Sequence, residues 1–145
     1  MIKYNQDEYL ERQFKKSILT LAADPLEQVI SEIPGCITCD MAEEFDSYRT
    51  LYFVEQWSRF TTEQVDIINQ IDHILSEHSV EAFKCLFLRS VDEIDMSVIS
   101  EVLESEEWFT IRELARRFIR SMKWEWENLG GYVHQGNNIW KKIDN

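Results

Sequence analysis

The sequence predicts an all-α fold, a single-domain bundle of about six to seven helices spanning residues 1–145. Three observations predict it. Apolar residues recur at spacings of three and four along most of the chain. Residues that favour helix starts (Ser, Thr, Asp) stand ahead of those runs. The two prolines and four glycines are too few for a turn-rich all-β protein. A chain of 145 residues is long enough to bury one core.

The first helix is expected over Asp7 to Leu21, with Leu10, Phe14, Ile18 and Leu21 on one face. Asp24-Pro25-Leu26-Glu27 starts the second: Asp24 suits the cap, Pro25 the first helical position, and Glu27 sits three residues after the cap. Val29, Ile30 and Ile33 continue it until Pro34-Gly35. A third helix is expected from about Asp40 to Phe60, carrying Met41, Phe45, Tyr48, Tyr52 and Trp57 on one face. Thr61 or Thr62 caps a fourth, where Val65, Ile68, Ile71 and Leu75 make a stripe that Ile67 and Ile74 widen. Ser79 is expected to cap a fifth, running through Phe83, Leu86, Phe87 and Leu88. A sixth lies near Met96–Leu103, and a seventh runs from Glu106 to about Leu129, where Gly130-Gly131 stops it. The last stretch, "YVHQGNNIWKKIDN", reads as a small hairpin around Gly136-Asn137 or as an ordered tail.

Charge is unevenly distributed within a net of −12. Residues 61–107 hold 12 acids against Lys84 and Arg89 alone, whereas residues 108–145 hold 4 acids and 7 bases. A chain so acidic repels nucleic acid and anionic membranes and attracts a basic partner, although acidity also serves solubility alone. The seventh helix carries the basic residues. Trp108, Ile111, Ala115, Phe118, Met122 and Trp126 form its apolar stripe, with Leu114 and Ile119 at the flanks. Arg112, Arg116 and Arg120 repeat every four residues, continued by Lys123. Glu113 is placed to pair with Arg117 or to reach Arg116. Arg112 and Arg120 need partners from elsewhere, and the acidic middle segment is the expected source. Trp124, Trp126, Tyr132 and Trp140 crowd the C-terminal 22 residues, either packed back on the bundle or presented as interface anchors.

Few residues suggest chemistry. Cys36-Ile37-Thr38-Cys39 has the dithiol spacing, but a thioredoxin-like site needs a preceding strand, and Asp40 opposes a neighbouring thiolate. A zinc set completed by His73 and His78 would span 33 residues between Cys39 and His73, far beyond a compact finger. The two thiols are therefore expected to lie in a loop between helices. No histidine has a glutamate three positions before it, and there is no His-Glu-x-x-His, Gly-x-Ser-x-Gly, Walker lysine or Gly-x-Gly-x-x-Gly. The expectation is a non-enzyme with no cofactor and no metal. The odd cysteine count fits a reduced compartment. The N-terminus has no apolar signal core, and there is no run of about 18 apolar residues, so a cytoplasmic location is expected.

Two stretches, "FDSYRTLYFVEQWSRFTTEQVDIINQIDHIL" and "EEWFTIRELARRFIRSM", cover about a third of the chain between them. In both the sequence resembles the small acidic helical immunity proteins of bacterial toxin systems, including contact-dependent growth inhibition. The resemblance implies a protein that binds and neutralises a cognate toxin, with a nuclease domain the expected target because its phosphate-binding surface is basic. The acidic residues expected to meet such a partner are Asp92, Glu93, Asp95, Glu101 and Glu104, with Asp66, Asp72 and Glu77 as a second face. The alternatives are a phage-type nucleic-acid mimic that blocks a defence nuclease, and a small helical metal-binding enzyme.

Overall fold

A computed structural model describes residues 6–77 and 84–125, together with the backbone of Tyr132–His134 and Trp140–Lys142. Among these residues the fold is all-α. Six helices, α1 (Gln6–Ala22), α2 (Pro25–Glu32), α3 (Ile37–Tyr48), α4 (Thr62–Ser76), α5 (Met96–Leu103) and α6 (Glu106–Met122), surround one core. Four short strands, β1 (Gly35–Cys36), β2 (Phe87–Leu88), β3 (Tyr132–His134) and β4 (Trp140–Lys142), pair antiparallel as β1–β2 and β3–β4. No described helix is long and apolar enough to cross a membrane.

The terminal helix α6 is central and packs on α1, α4 and α5. Its apolar stripe explains this position. Trp108, Ile111, Ala115 and Phe118 are fully buried, and the flanking Leu114 and Ile119 are buried with them. Phe14 of α1 lies 6.0 Å from Phe118, ring centre to ring centre, in an edge-to-face arrangement. On α4 the buried set is Ile67, Ile68 and Ile71, while Val65, Ile74 and Leu75 are only partly covered, so the face turns slightly from the expected stripe. The α4 start is as expected: Thr61 Oγ1 accepts from the Gln64 amide at 3.1 Å, and Gln64 Oε1 accepts from the Thr61 amide at 2.8 Å.

Four expectations are corrected. Asp24 occupies the N-cap of α2 but makes no side-chain cap; its carboxylate accepts from Arg116 Nη2 at 2.9 Å instead. The third helix starts earlier, at Ile37, and does not reach Phe60. After Tyr48 it widens into a π-helical turn (Arg49–Phe53), and a 3-10 turn (Trp57–Arg59) follows. In this wider turn the consecutive Tyr52 and Phe53 both face Phe14, at 5.6 and 5.5 Å. The expected fifth helix is extended where it is described: Leu86 and Leu88 are buried while Phe87 is 59% exposed, the alternation of a strand. Its expected cap, Ser79, and Phe83 lie outside the described residues. The seventh helix stops at Met122 rather than Leu129, because Lys123 takes the left-handed conformation (φ 59°, ψ 32°). Trp124 then folds back on Phe118 at 5.5 Å, with Lys15 Nζ 5.5 Å from its ring centre.

At the C-terminus, β3 and β4 pair Tyr132 with Lys142, Val133 with Lys141 and His134 with Trp140. This is the hairpin alternative of the sequence. Gly130-Gly131, Gly136-Asn137 and the side chains of Trp126, Tyr132 and Trp140 lie outside the description.

Candidate functional site

The Cys-x-x-Cys stretch is not a loop. Gly35 and Cys36 form β1, Cys36 is the N-cap of α3, and Cys39 stands in that helix's first turn. Gly35 is required here: its φ is +144°, and a Cβ would come within 2.5 Å of Asp40 Oδ2. β1 pairs with β2 through Gly35–Leu88 and Cys36–Phe87. Two further bonds extend the join, from the Ile37 amide to Leu86 O (2.9 Å) and from Thr38 Oγ1 to Lys84 O (3.0 Å).

This pairing delivers a third thiol. Cys85, just before β2, joins Cys36 and Cys39, and the three Sγ atoms all lie within 4.8 Å of one another. Cys36 Sγ and Cys39 Sγ are 2.7 Å apart, with no disulfide between them, and Cys39 and Cys85 are exposed. Partial burial opposes the Cys36 thiolate, but hydrogen bonds from Cys39, Cys85 and Thr38 outweigh it, and its pKa falls to about 7. Sharing that proton with Cys36, together with partial burial, pushes Cys39 up to about 12. Cys85 is raised by the same hydrogen bonding to Cys36, then by burial. Of the three, Cys36 gives up its proton most readily, and its two neighbours hold theirs more tightly.

Carboxyl groups stand close by. Glu32, at the end of α2, is pushed up to about 8 by burial, by the charge of Glu44 and by a hydrogen bond with it, with Asp40 adding to the effect. Glu44 is raised by burial and by Asp40, against the opposing hydrogen bond with Glu32 and the pull of Lys16. Of the histidines once paired with the thiols, His73 is exposed on α4 and is not among the convergent groups, and His78 lies outside the described residues. Cys85 takes the place that sequence spacing offered to them.

The eight acidic residues fall into two sets. Asp66 and Glu77 are exposed on and just after α4, and Asp66 accepts from Gln70 Nε2 at 2.8 Å. Asp72 is half-buried and sits 3.4 Å from Arg49 Nε, so it is committed within the fold. Asp92, Glu93, Asp95, Glu101 and Glu104 are all exposed around α5. Two of them also hold local structure: Glu93 Oε1 accepts from the Arg89 amide (2.8 Å), and Asp95 caps α5 through the Ser97 amide (3.0 Å). Sequence reasoning missed the apolar residues among them. Met96 and Val98 of α5 and Phe109 of α6 are 48%, 41% and 56% exposed. Phe109 was legible, because it falls off the buried stripe of α6, whereas Met96 lies at stripe spacing from Ile99 and Leu103 and gave no such signal.

The arginine ridge is corrected as well. Arg112 is buried and bonds no residue of the acidic segment's side chains; it donates to Ala23 O (2.9 Å), Leu103 O (2.9 Å) and Gln28 Oε1 (3.2 Å). Arg116 donates to Ala22 O (2.8 Å) and pairs with Asp24 and, at 3.6 Å, with Glu113. Arg117 faces Glu63 at 4.0 Å. Arg120 is exposed and lines a cleft of about 380 Å³ with Asp24, Glu27, Arg116 and Ile119. Helix ends explain this choice of partners: the last carbonyls of α1 and α5 have no intrahelical donor, and a buried cation satisfies them where the helix dipole is negative.

Comparisons of the chain with protein-family models, with curated proteins and with solved structures give no match.

Proposed function

We propose that this chain is a stoichiometric, non-catalytic inhibitor of immunity type, which neutralises a cognate toxin by covering the basic phosphate-binding surface of its nuclease domain. One observation carries the reading: on and beside α5, the exposed apolar Met96 and Val98 are bracketed by exposed carboxylates, Asp92, Glu93 and Asp95 before them and Glu101 and Glu104 after. An apolar centre with a charged rim is the usual anatomy of a protein interface. The rim steers a basic partner and the apolar side chains hold it once it has arrived. The net charge of −12 extends that steering over the whole molecule.

The test is association of the purified chain with the product of its neighbouring reading frame, at low and high salt. A single basic partner bound one to one, whose toxic activity disappears on binding, is the expected result. Asp92→Lys with Glu101→Lys is the informative variant, because neither residue caps a helix or bonds the backbone as Glu93 and Asp95 do. It should slow association about tenfold at low salt and flatten its salt dependence. An unchanged on-rate would place the interface elsewhere. Inhibition of a defence nuclease with no effect on a toxin would favour the nucleic-acid-mimic alternative.

A further inference from the structure

The three thiols converge from two separate parts of the chain. Cys36 and Cys39 are set by the start of α3, and Cys85 is brought to them by the β1–β2 pairing and the Thr38–Lys84 bond. Side chains meant only for the core would be buried, yet Cys39 and Cys85 are exposed and Cys36 is half-buried. Three sulfurs within 4.8 Å of one another leave room for one ion between them. In a tetrahedral site with metal–sulfur bonds of about 2.3 Å, the sulfurs stand about 3.8 Å apart. The 2.7 Å contact between Cys36 and Cys39 has to widen to take the ion.

From this juxtaposition we infer that Cys36, Cys39 and Cys85 form a surface site for Zn²⁺, bound by three sulfurs with a fourth position open to water. The ligand type selects the ion: soft sulfur donors favour Zn²⁺ over Mg²⁺ or Ca²⁺, which take oxygen. Each thiol releases its proton to solvent as its metal–sulfur bond forms. The Asp40 carboxylate, which lies against Gly35, adds a negative field that favours a cation. The ion would clasp the N-terminus of α3 to the segment before β2. This site is independent of the α5 surface, so the failure of either proposal leaves the other standing.

The test is an anaerobic titration of the reduced full chain with Co²⁺, followed by displacement with Zn²⁺. Expected are a one-to-one end point, a thiolate-to-cobalt charge-transfer band and the intense ligand-field bands of tetrahedral cobalt, all abolished by Zn²⁺. Cys85→Ser replaces an exposed side chain and should leave the circular dichroism of the helices unchanged, while weakening Zn²⁺ at least about 100-fold. Cys39→Ser should do the same. The inference is overturned if cobalt gives no charge-transfer band or if Cys85→Ser binds as tightly as the parent chain.

Discussion

Arg112 reaches acceptors in three parts of the chain: Ala23 after α1, Gln28 in α2 and Leu103 at the end of α5. Gln28 is fully buried, and its Nε2 donates in turn to Thr20 O and Leu21 O. Arg112→Ala would leave several buried oxygens without donors, which should cost about 3 kcal/mol, read as a lower urea midpoint. Arg112→Met refills most of the volume and should recover little of that loss, since donors rather than bulk are missing. Glu32 makes a second residue-scale prediction. The folded chain holds its proton up to about pH 8, whereas the ordinary value is 4.5. Between those two pH values the folded state therefore binds more protons than the unfolded state, so this residue's contribution falls as pH rises and is most favourable below 4.5. Glu32→Gln should raise the melting temperature at pH 8 and leave it nearly unchanged at pH 4.5. An equal gain at both would mean that the carboxyl is not perturbed.

At the scale of elements, α6 ends where Lys123 turns left-handed, a conformation that suits glycine better than any residue with a Cβ. Lys123→Gly should stabilise the chain by about 0.5–1 kcal/mol, as a shift in denaturation midpoint; a loss would mean that its contacts with the helix end outweigh the strain. How legible each element was depends on where its cause lies. The α4 cap could be read from Thr61 and Gln64 because both partners fall within one turn. The loosening of α3 after Tyr48 could not, since the contacts its residues make are with Phe14, a residue far away in sequence. Leu86–Leu88 shows no usable period because a two-residue strand is too short to have one. Cys85 was invisible beside Cys36 for the same reason, as only the β1–β2 pairing relates them. Arg112 did leave a signal: it lies four residues after Trp108 and three before Ala115, on the buried face of α6, where a solvated arginine has no place.

Over the whole molecule, a net charge of −12 is carried by a fold whose ion pairs are few and largely at the surface among the described residues. Self-repulsion then outweighs those pairs. Raising salt from about 0.01 M to about 0.15 M shortens the screening length from about 30 Å to about 8 Å and should raise the melting temperature. A fall would show that the surface pairs dominate. The fold class followed mainly from periodicity, because helix-forming apolar spacing is a local property that α1, α4, α5 and α6 all display. The corner held by Arg112 belongs to another category of attachment. Its acceptors are amide and carbonyl oxygens, and its guanidinium, although burial lowers its pKa, can only be protonated in acid, so nothing in it titrates as acid is added. Contacts that depend on carboxylate charge weaken in acid, whereas this joint stays fastened. A chain driven to low pH would therefore come apart from its periphery inward, with the meeting point of α1, α2, α5 and α6 as the last nucleus of order.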